Sequence, residues 1–192
     1  MRGRSAPRML AFAIKLAFPL ILLFLGSDLL GQNTPPTEAQ VEAAYLFNFG
    51  KFVTWPAADR APALFTICIL GKDPFGETLD SIVAGESIGQ KPIKVQRILS
   101  MQDAGACNIL FVASSEDWHL EGILQDSRKL HLLTVSNIRH FAEAGGIIGL
   151  VRQEDRVRFE VNRTAAEQSR LLLSSELLKV AVRVIQQKRT QD

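Results

Sequence analysis

Residues 38–187 predict an α/β fold, a single three-layer domain with a mainly parallel central sheet and a late antiparallel hairpin. Three observations carry this. Apolar runs at 64–70 (LFTICIL), 108–113 (NILFVA) and 130–135 (LHLLTV) have the length and uniform hydrophobicity of strands buried on both faces. Helix-starting patterns separate these runs, and strands alternating with helices build a parallel sheet covered on both sides. Gly145 to Asn162 (GGIIGLVRQEDRVRFEVN) reads differently. Ile147, Ile148, Leu150 and Val151 form an apolar run, Gln153-Glu154-Asp155 supplies a polar turn, and Val157, Phe159 and Val161 recur at every second position. That is a hairpin with one buried face, and it leaves Arg156, Arg158 and Glu160 on the solvent side.

Residues 1–31 stand apart from the domain. Arg2, Arg4, Arg8 and Lys15 precede or open the apolar run Leu16 to Leu25, and Gly26, Ser27 and Gly31 follow it. A membrane span needs about 20 apolar residues, and this run is shorter. Its length and flanks are those of a secretory signal peptide, the alternative being an uncleaved N-terminal anchor. Residues 32–37, with Pro35 and Pro36, read as a disordered lead. Thr37 and Gln40 form a capping box opening a helix that is apolar nearly all round, and Trp55-Pro56 is its predicted end. After strand 64–70, Gly71-Lys72 turns the chain. Asp73 and Pro74 open a short helix through Val83 as N-cap and first residue. Ile93, Val95 and Ile98 mark a second strand. Ser114-Ser115-Glu116-Asp117 starts a helix to about Ser127, with acids where the macrodipole favours them. Ser136-Asn137 leads a short helix through Ala144. Gly145-Gly146 makes a sharp left-handed or closely packed approach to the hairpin. Asn162 caps a helix over 163–170, and Ser174 opens a final one whose core face is Leu177, Leu178, Ala181, Val184 and Ile185. The basic tail Lys188-Arg189 suits that helix's end.

Charge and motifs narrow the function. Without residues 1–31, which hold four Lys/Arg and one Asp, 18 basic residues face 19 acidic ones. The basic excess of the whole chain, +2, therefore argues for no nucleic acid partner. Cys68 and Cys107 form one disulfide in an exported chain, or else remain two buried free thiols. A bridge would place the first and third strands side by side. His119, His131 and His140 have no ligand spacing, and no metal or cofactor site is expected. The Gly145-Gly146-x-x-Gly149 pattern precedes a strand instead of joining strand to helix, so it lacks the dipole logic of a phosphate loop. No catalytic constellation is present, and no enzyme is expected. The strand ends of an α/β sheet are the usual ligand position, and here they carry Lys72, Asp73, Arg97, Ser114 and Ser115, a possible small-anion crevice. Ordinary turns and caps look the same.

Several segments together resemble the YfiR-like family of periplasmic regulatory proteins: AAYLFNFGKFVTWP (Ala43 to Pro56), ICILGKDPFG (Ile67 to Gly76), CNILFVASSE (Cys107 to Glu116), LLTVSN (Leu132 to Asn137), FAEAGGIIGLV (Phe141 to Val151) and VRFEVNRTAAEQSRLLLSSELLKVA (Val157 to Ala181). They follow the family's order and cover nearly all of residues 38–187. The resemblance implies a non-enzymatic periplasmic regulator that binds the periplasmic region of an inner-membrane signalling protein, a diguanylate cyclase in the best-understood system, and represses it, so that cyclic di-GMP and biofilm formation fall. An outer-membrane lipoprotein partner and a homodimer are implied as well. Cys68 and Cys107 match the family's cysteine pair. A second pair carried by some members falls on Ala142 and Gly149 here. The family's partner-facing surface, carried over, falls on Ile148, Glu160 and Ala166. The rival reading is a periplasmic small-ligand sensor partnering a histidine kinase or transporter. Fold alone does not decide between them.

Overall fold

The computed structural model of the protein describes residues 35–56 and 63–186. Backbone contacts divide the chain between Pro35 and Pro36, and every described residue except Pro35 belongs to the second unit, Pro36–Asp192. The expected signal peptide and the tail Lys188-Arg189 lie outside the described residues.

The elements run α1 (Glu38–Phe49), β1 (Val53–Thr54), β2 (Phe65–Leu70), α2 (Glu77–Val83), β3 (Ser87–Ile88), β4 (Lys91–Ile98), a 3-10 helix (Met101–Ala106), β5 (Ile109–Val112), a second 3-10 helix (Ser114–His119), α3 (Leu120–Lys129), β6 (Leu133–Ser136), β7 (Ile148–Gln153), β8 (Arg156–Asn162), α4 (Arg163–Gln168), β9 (Leu172–Leu173), α5 (Ser175–Val180) and β10 (Arg183–Ile185). Eight strands form one sheet in the order β10-β8-β7-β6-β5-β2-β4-β3, and β1 pairs with β9 apart from it. Neighbours from β4 through β7 are parallel, as are β8 and β10. The predicted hairpin β7-β8 is antiparallel, joined in register from Ile148↔Val161 to Gln153↔Arg156. A second antiparallel pair, β3-β4, was not legible in the polar stretch 85–92.

The central strands are buried on both faces because alternate side chains feed two separate cores. Ile67, Ile69, Ile109, Phe111, Leu133 and Val135 face the larger one, with α1, α2, α4 and α5. Cys68, Leu70, Leu110 and Val112 face the other, with α3, Ala104, Ile138 and Phe141. Helices on one side, sheet, and helix with turns on the other make the three layers. Cys68 and Cys107 are disulfide-bonded with Cα atoms 5.8 Å apart, so the first and third predicted strands are neighbours. Asn108 reinforces the join: its backbone N donates to Thr66 O, and its Oδ1 accepts from Thr66 N.

Four local expectations are corrected. The capping box is present, with Thr37 N donating to Gln40 Oε1 and Gln40 N donating to Thr37 Oγ1, but α1 ends at Phe49, well before Trp55. Gly50 follows, so closely packed that a Cβ there would overlap Ile88. The chain then turns into β1. Asp73 does not cap α2: its Oδ1 accepts from Phe75 N in a tight turn, and the helix starts at Glu77. The stretch after Asn137 is a chain of turns, with His140 at φ 58°, a left-handed backbone that a helix cannot absorb. The last predicted helix stops at Val180. Ala181 is extended, Val182 N donates to Phe159 O, and β10 pairs parallel to β8. Val182, Val184 and Ile185 are β-branched, and an open sheet edge suits them better than another helical turn.

Candidate functional site

The hairpin and the elements after it form one structural unit centred on Asn162, which is 7% exposed. Its Oδ1 accepts from Ala165 N at 2.9 Å and so caps α4. Its Nδ2 donates to Ala142 O at 2.7 Å, fixing the turns that lead into the hairpin. Its own N donates to Ile147 O. One side chain therefore locks the approach to β7, the end of β8 and the start of α4. Gly145 takes φ 106°, and a Cβ on Gly146 would overlap the Phe141 ring, so the left-handed turn and the close packing fall on consecutive glycines. At the far end of α4, His131 Nδ1 meets Ser169 O at 3.1 Å; the carbonyl can only accept, so this nitrogen carries the proton.

Beyond α4 the chain leaves an apolar groove of about 190 Å³ between α4, β9 and α5. Ala166, Leu171, Leu173 and Leu178 line it, with Arg163, Glu167 and Ser175. Arg163 and Glu167 pair with each other at 3.1 Å across one helical turn and leave no net charge there. Leu172, also lining the groove, is 69% exposed. The run Leu171-Leu172-Leu173 was visible in the sequence between two helices. Its meaning was not, because which of three leucines faces out depends on the β1-β9 pairing with Val53 and Thr54.

The residues singled out in sequence fall unevenly on this surface. Ile148 is wholly buried in the sheet, paired with Val161, and offers no side chain to a partner in this conformation. Ala166 is nearly buried yet lines the groove. Glu160 is not a free solvent-facing acid. Arg183 lies opposite it in the β8-β10 register and donates to both carboxylate oxygens, at 2.9 and 2.7 Å, while also pairing with Glu143. These contacts push the Arg183 pKa further up and hold Glu143 below the ordinary carboxylate range. Ala142 and Gly149 face each other: a Cβ on Gly149 would lie 3.5 Å from that of Ala142.

Lys72, Asp73, Ser114 and Ser115 lie beyond the carboxyl ends of β2 and β5, and Arg97 is the penultimate residue of β4. Arg97 donates to Asp73 at 2.9 Å, to both oxygens of Asp80 and to Gly76 O. Asp80 is thereby held below its ordinary pKa, first through the hydrogen bond from Arg97. Lys72 N donates to Ser115 Oγ, which donates to Glu116 Oε1, both at 2.9 Å. Of this set, Arg97 is already shared by two carboxylates and the Ser115 hydroxyl is spent on a third. Among the described residues no group of His, Cys, Asp and Glu could hold a metal ion. No helix among them is long and apolar enough to cross a membrane.

The sequence profile of the YfiR/HmsC-like family matches residues 39–182. No curated protein matches significantly. Among solved structures, a conserved domain protein from Vibrio cholerae superposes with a TM-score of 0.54 at 12% identity, over 77% of this chain and 60% of its own. An ABC domain in complex with L-Trp from Streptococcus pneumonia does so with a TM-score of 0.50 at 11% identity, over the same shares. This chain thus spans about 60% of the length of those two structures, and at such identities the likeness is one of fold.

Proposed function

The chain belongs to the YfiR/HmsC-like family, and on that premise we propose that it is a non-enzymatic periplasmic regulator that binds the periplasmic region of an inner-membrane signalling protein, a diguanylate cyclase, and represses it. The observation that carries this reading is the apolar groove beside the hairpin, with Leu172 69% exposed at its margin. A neutral, apolar groove suits an apolar side chain of a protein better than a charged metabolite. Ala166 lines the groove, and its small side chain leaves room there. Ile148 fills the core and Glu160 anchors β10, so any part these two have in docking is indirect. Export by residues 1–31, an outer-membrane lipoprotein that competes for the chain, and pairing with a second copy belong to the same reading. So does the Cys68–Cys107 bridge, which suits an oxidising compartment.

The test uses the mature chain. Tagged protein is expected to retain an inner-membrane cyclase from detergent-solubilised membranes, and its supply to cells should lower cyclic di-GMP. Leu172→Glu should abolish both while moving the melting temperature by no more than about 2 °C, since the side chain is mostly in solvent. Wild-type protein that retains no membrane signalling protein and leaves cyclic di-GMP unchanged overturns the proposal.

A further inference from the structure

A second exposed apolar feature lies away from the groove. Leu99 and Trp118 are each 94% exposed, more than any other large apolar side chain described. Isolated surface leucines need no explanation, but a tryptophan held almost wholly in water is rare, because its ring is the largest apolar surface a residue can hide. The two belong to one end of the sheet. Leu99 directly follows β4, whose Ile98 is in register with Leu70 of β2, and Leu70 is in register with Val112 of β5. Trp118 lies in the 3-10 helix that begins two residues after Val112. The ends of β4 and β5 are two strand spacings apart, about 10 Å. Met101 and Leu120, each two residues beyond its exposed neighbour, pack on the same core cluster. The chain therefore anchors both segments by one apolar residue and leaves the other in solvent.

Charge indicates what fits there. Asp103 follows Leu99, Glu116 and Asp117 precede Trp118, and Glu121 follows it; none has an ion-pair partner among the described residues. Of the cations at these strand ends, Arg97 is taken by Asp73 and Asp80, which leaves Lys72. Two exposed apolar side chains at a sheet end whose carboxylates lack ion-pair partners repel an anionic bilayer and attract a cationic polypeptide. We propose that the Leu99–Trp118 end of the sheet docks a basic amphipathic segment of a partner protein, at a site distinct from the groove of α4, β9 and α5.

The probe is a synthetic amphipathic peptide of leucine and lysine at helical spacing, labelled for anisotropy, with its leucine–glutamate counterpart as control. Trp118 is one of two tryptophans in the chain, and Trp55 is half-buried, so burial of Trp118 reports as a blue shift of the emission. The lysine peptide is expected to bind wild-type protein, to shift that emission and to weaken with added salt. Trp118→Ser and Asp117→Lys should each raise its Kd about ten-fold, and Leu172→Glu should not change it. All three side chains are exposed, so folding is not at stake. The idea is overturned if the peptide fails to bind, if it binds wild type and Trp118→Ser alike, if the glutamate peptide binds as well, or if phosphatidylglycerol or phosphatidylcholine vesicles shift the emission where the peptide does not.

Discussion

Glu42 sits in α1 at 3% exposure, and among the described residues its carboxylate receives only the Asn137 amide, 3.3 Å from each oxygen. Burial raises its pKa to about 7, the Asn137 hydrogen bond pulls the other way, and Glu38 one turn earlier adds to the rise. The folded chain therefore binds a proton that the unfolded chain releases near 4.5. The stability this contributes is complete below that value and is lost as pH rises through about 7. Glu42→Gln, which keeps the neutral shape, should flatten the fall in melting temperature between pH 5 and 8. At pH 8 it should be the more stable protein by on the order of 2 kcal/mol, measured by thermal melts across that range. Gly146→Ala drives a methyl into the Phe141 ring and should cost about 1–3 kcal/mol, read by denaturant titration. Ala142→Cys with Gly149→Cys places two Cβ atoms at bridging distance and should yield a second disulfide by mass spectrometry without reducing agent. Local residue roles were legible in sequence where the partner is close in the chain, as with the Thr37–Gln40 box and the Asn162 cap. The burial of Glu42 was not, because Asn137 is 95 residues away.

The strand β10 is where element and sequence part company. Residues 177–185 (LLKVAVRVI) satisfy both a helical and an alternating pattern, and only the neighbour decides. Here the neighbour is β8, whose open edge takes Arg183, Val184 and Ile185 in parallel register. Three paired residues hold weakly, so the Arg183 contacts to Glu160 and Glu143 matter more than surface ion pairs usually do. Glu160→Lys sets like charges opposite each other and should speed amide exchange across 183–185, with a loss of about 1 kcal/mol in global stability. Exchange unchanged in β10 would show that its backbone pairing suffices. The double-faced strands β2, β5 and β6 were legible because their short apolar runs are bounded by turn and helix-start residues. The two-residue strands β1, β3 and β9 carry too few residues for any period to show.

For the whole molecule, the Cys68–Cys107 bridge closes a loop of sequence separation 39 within the second core, between neighbouring strands. Chain entropy assigns such a loop about 4 kcal/mol, so reduction or Cys107→Ser should lower stability by up to that amount, and thiol titration of the unreduced, denatured protein should find none free. The candidate crevice shows what strand ends leave out when read from sequence: Asp80 and Glu116 arrive beside these residues and engage Arg97 and Ser115. The seating of α1 (Glu38–Phe49) governs when the fold can be completed. Tyr45 and Phe49 of α1 stack with each other and meet Phe159 edge-on, and Tyr45 OH donates to Val157 O across 112 residues. Among the described residues the first helix is seated by the late hairpin, so a chain delivered N-terminus first cannot close its larger core until β8 has arrived. Until then the aromatic face of α1 has no native seat. A chain halted before residue 156 should remain open and protease-sensitive, as limited proteolysis of a truncated chain would show.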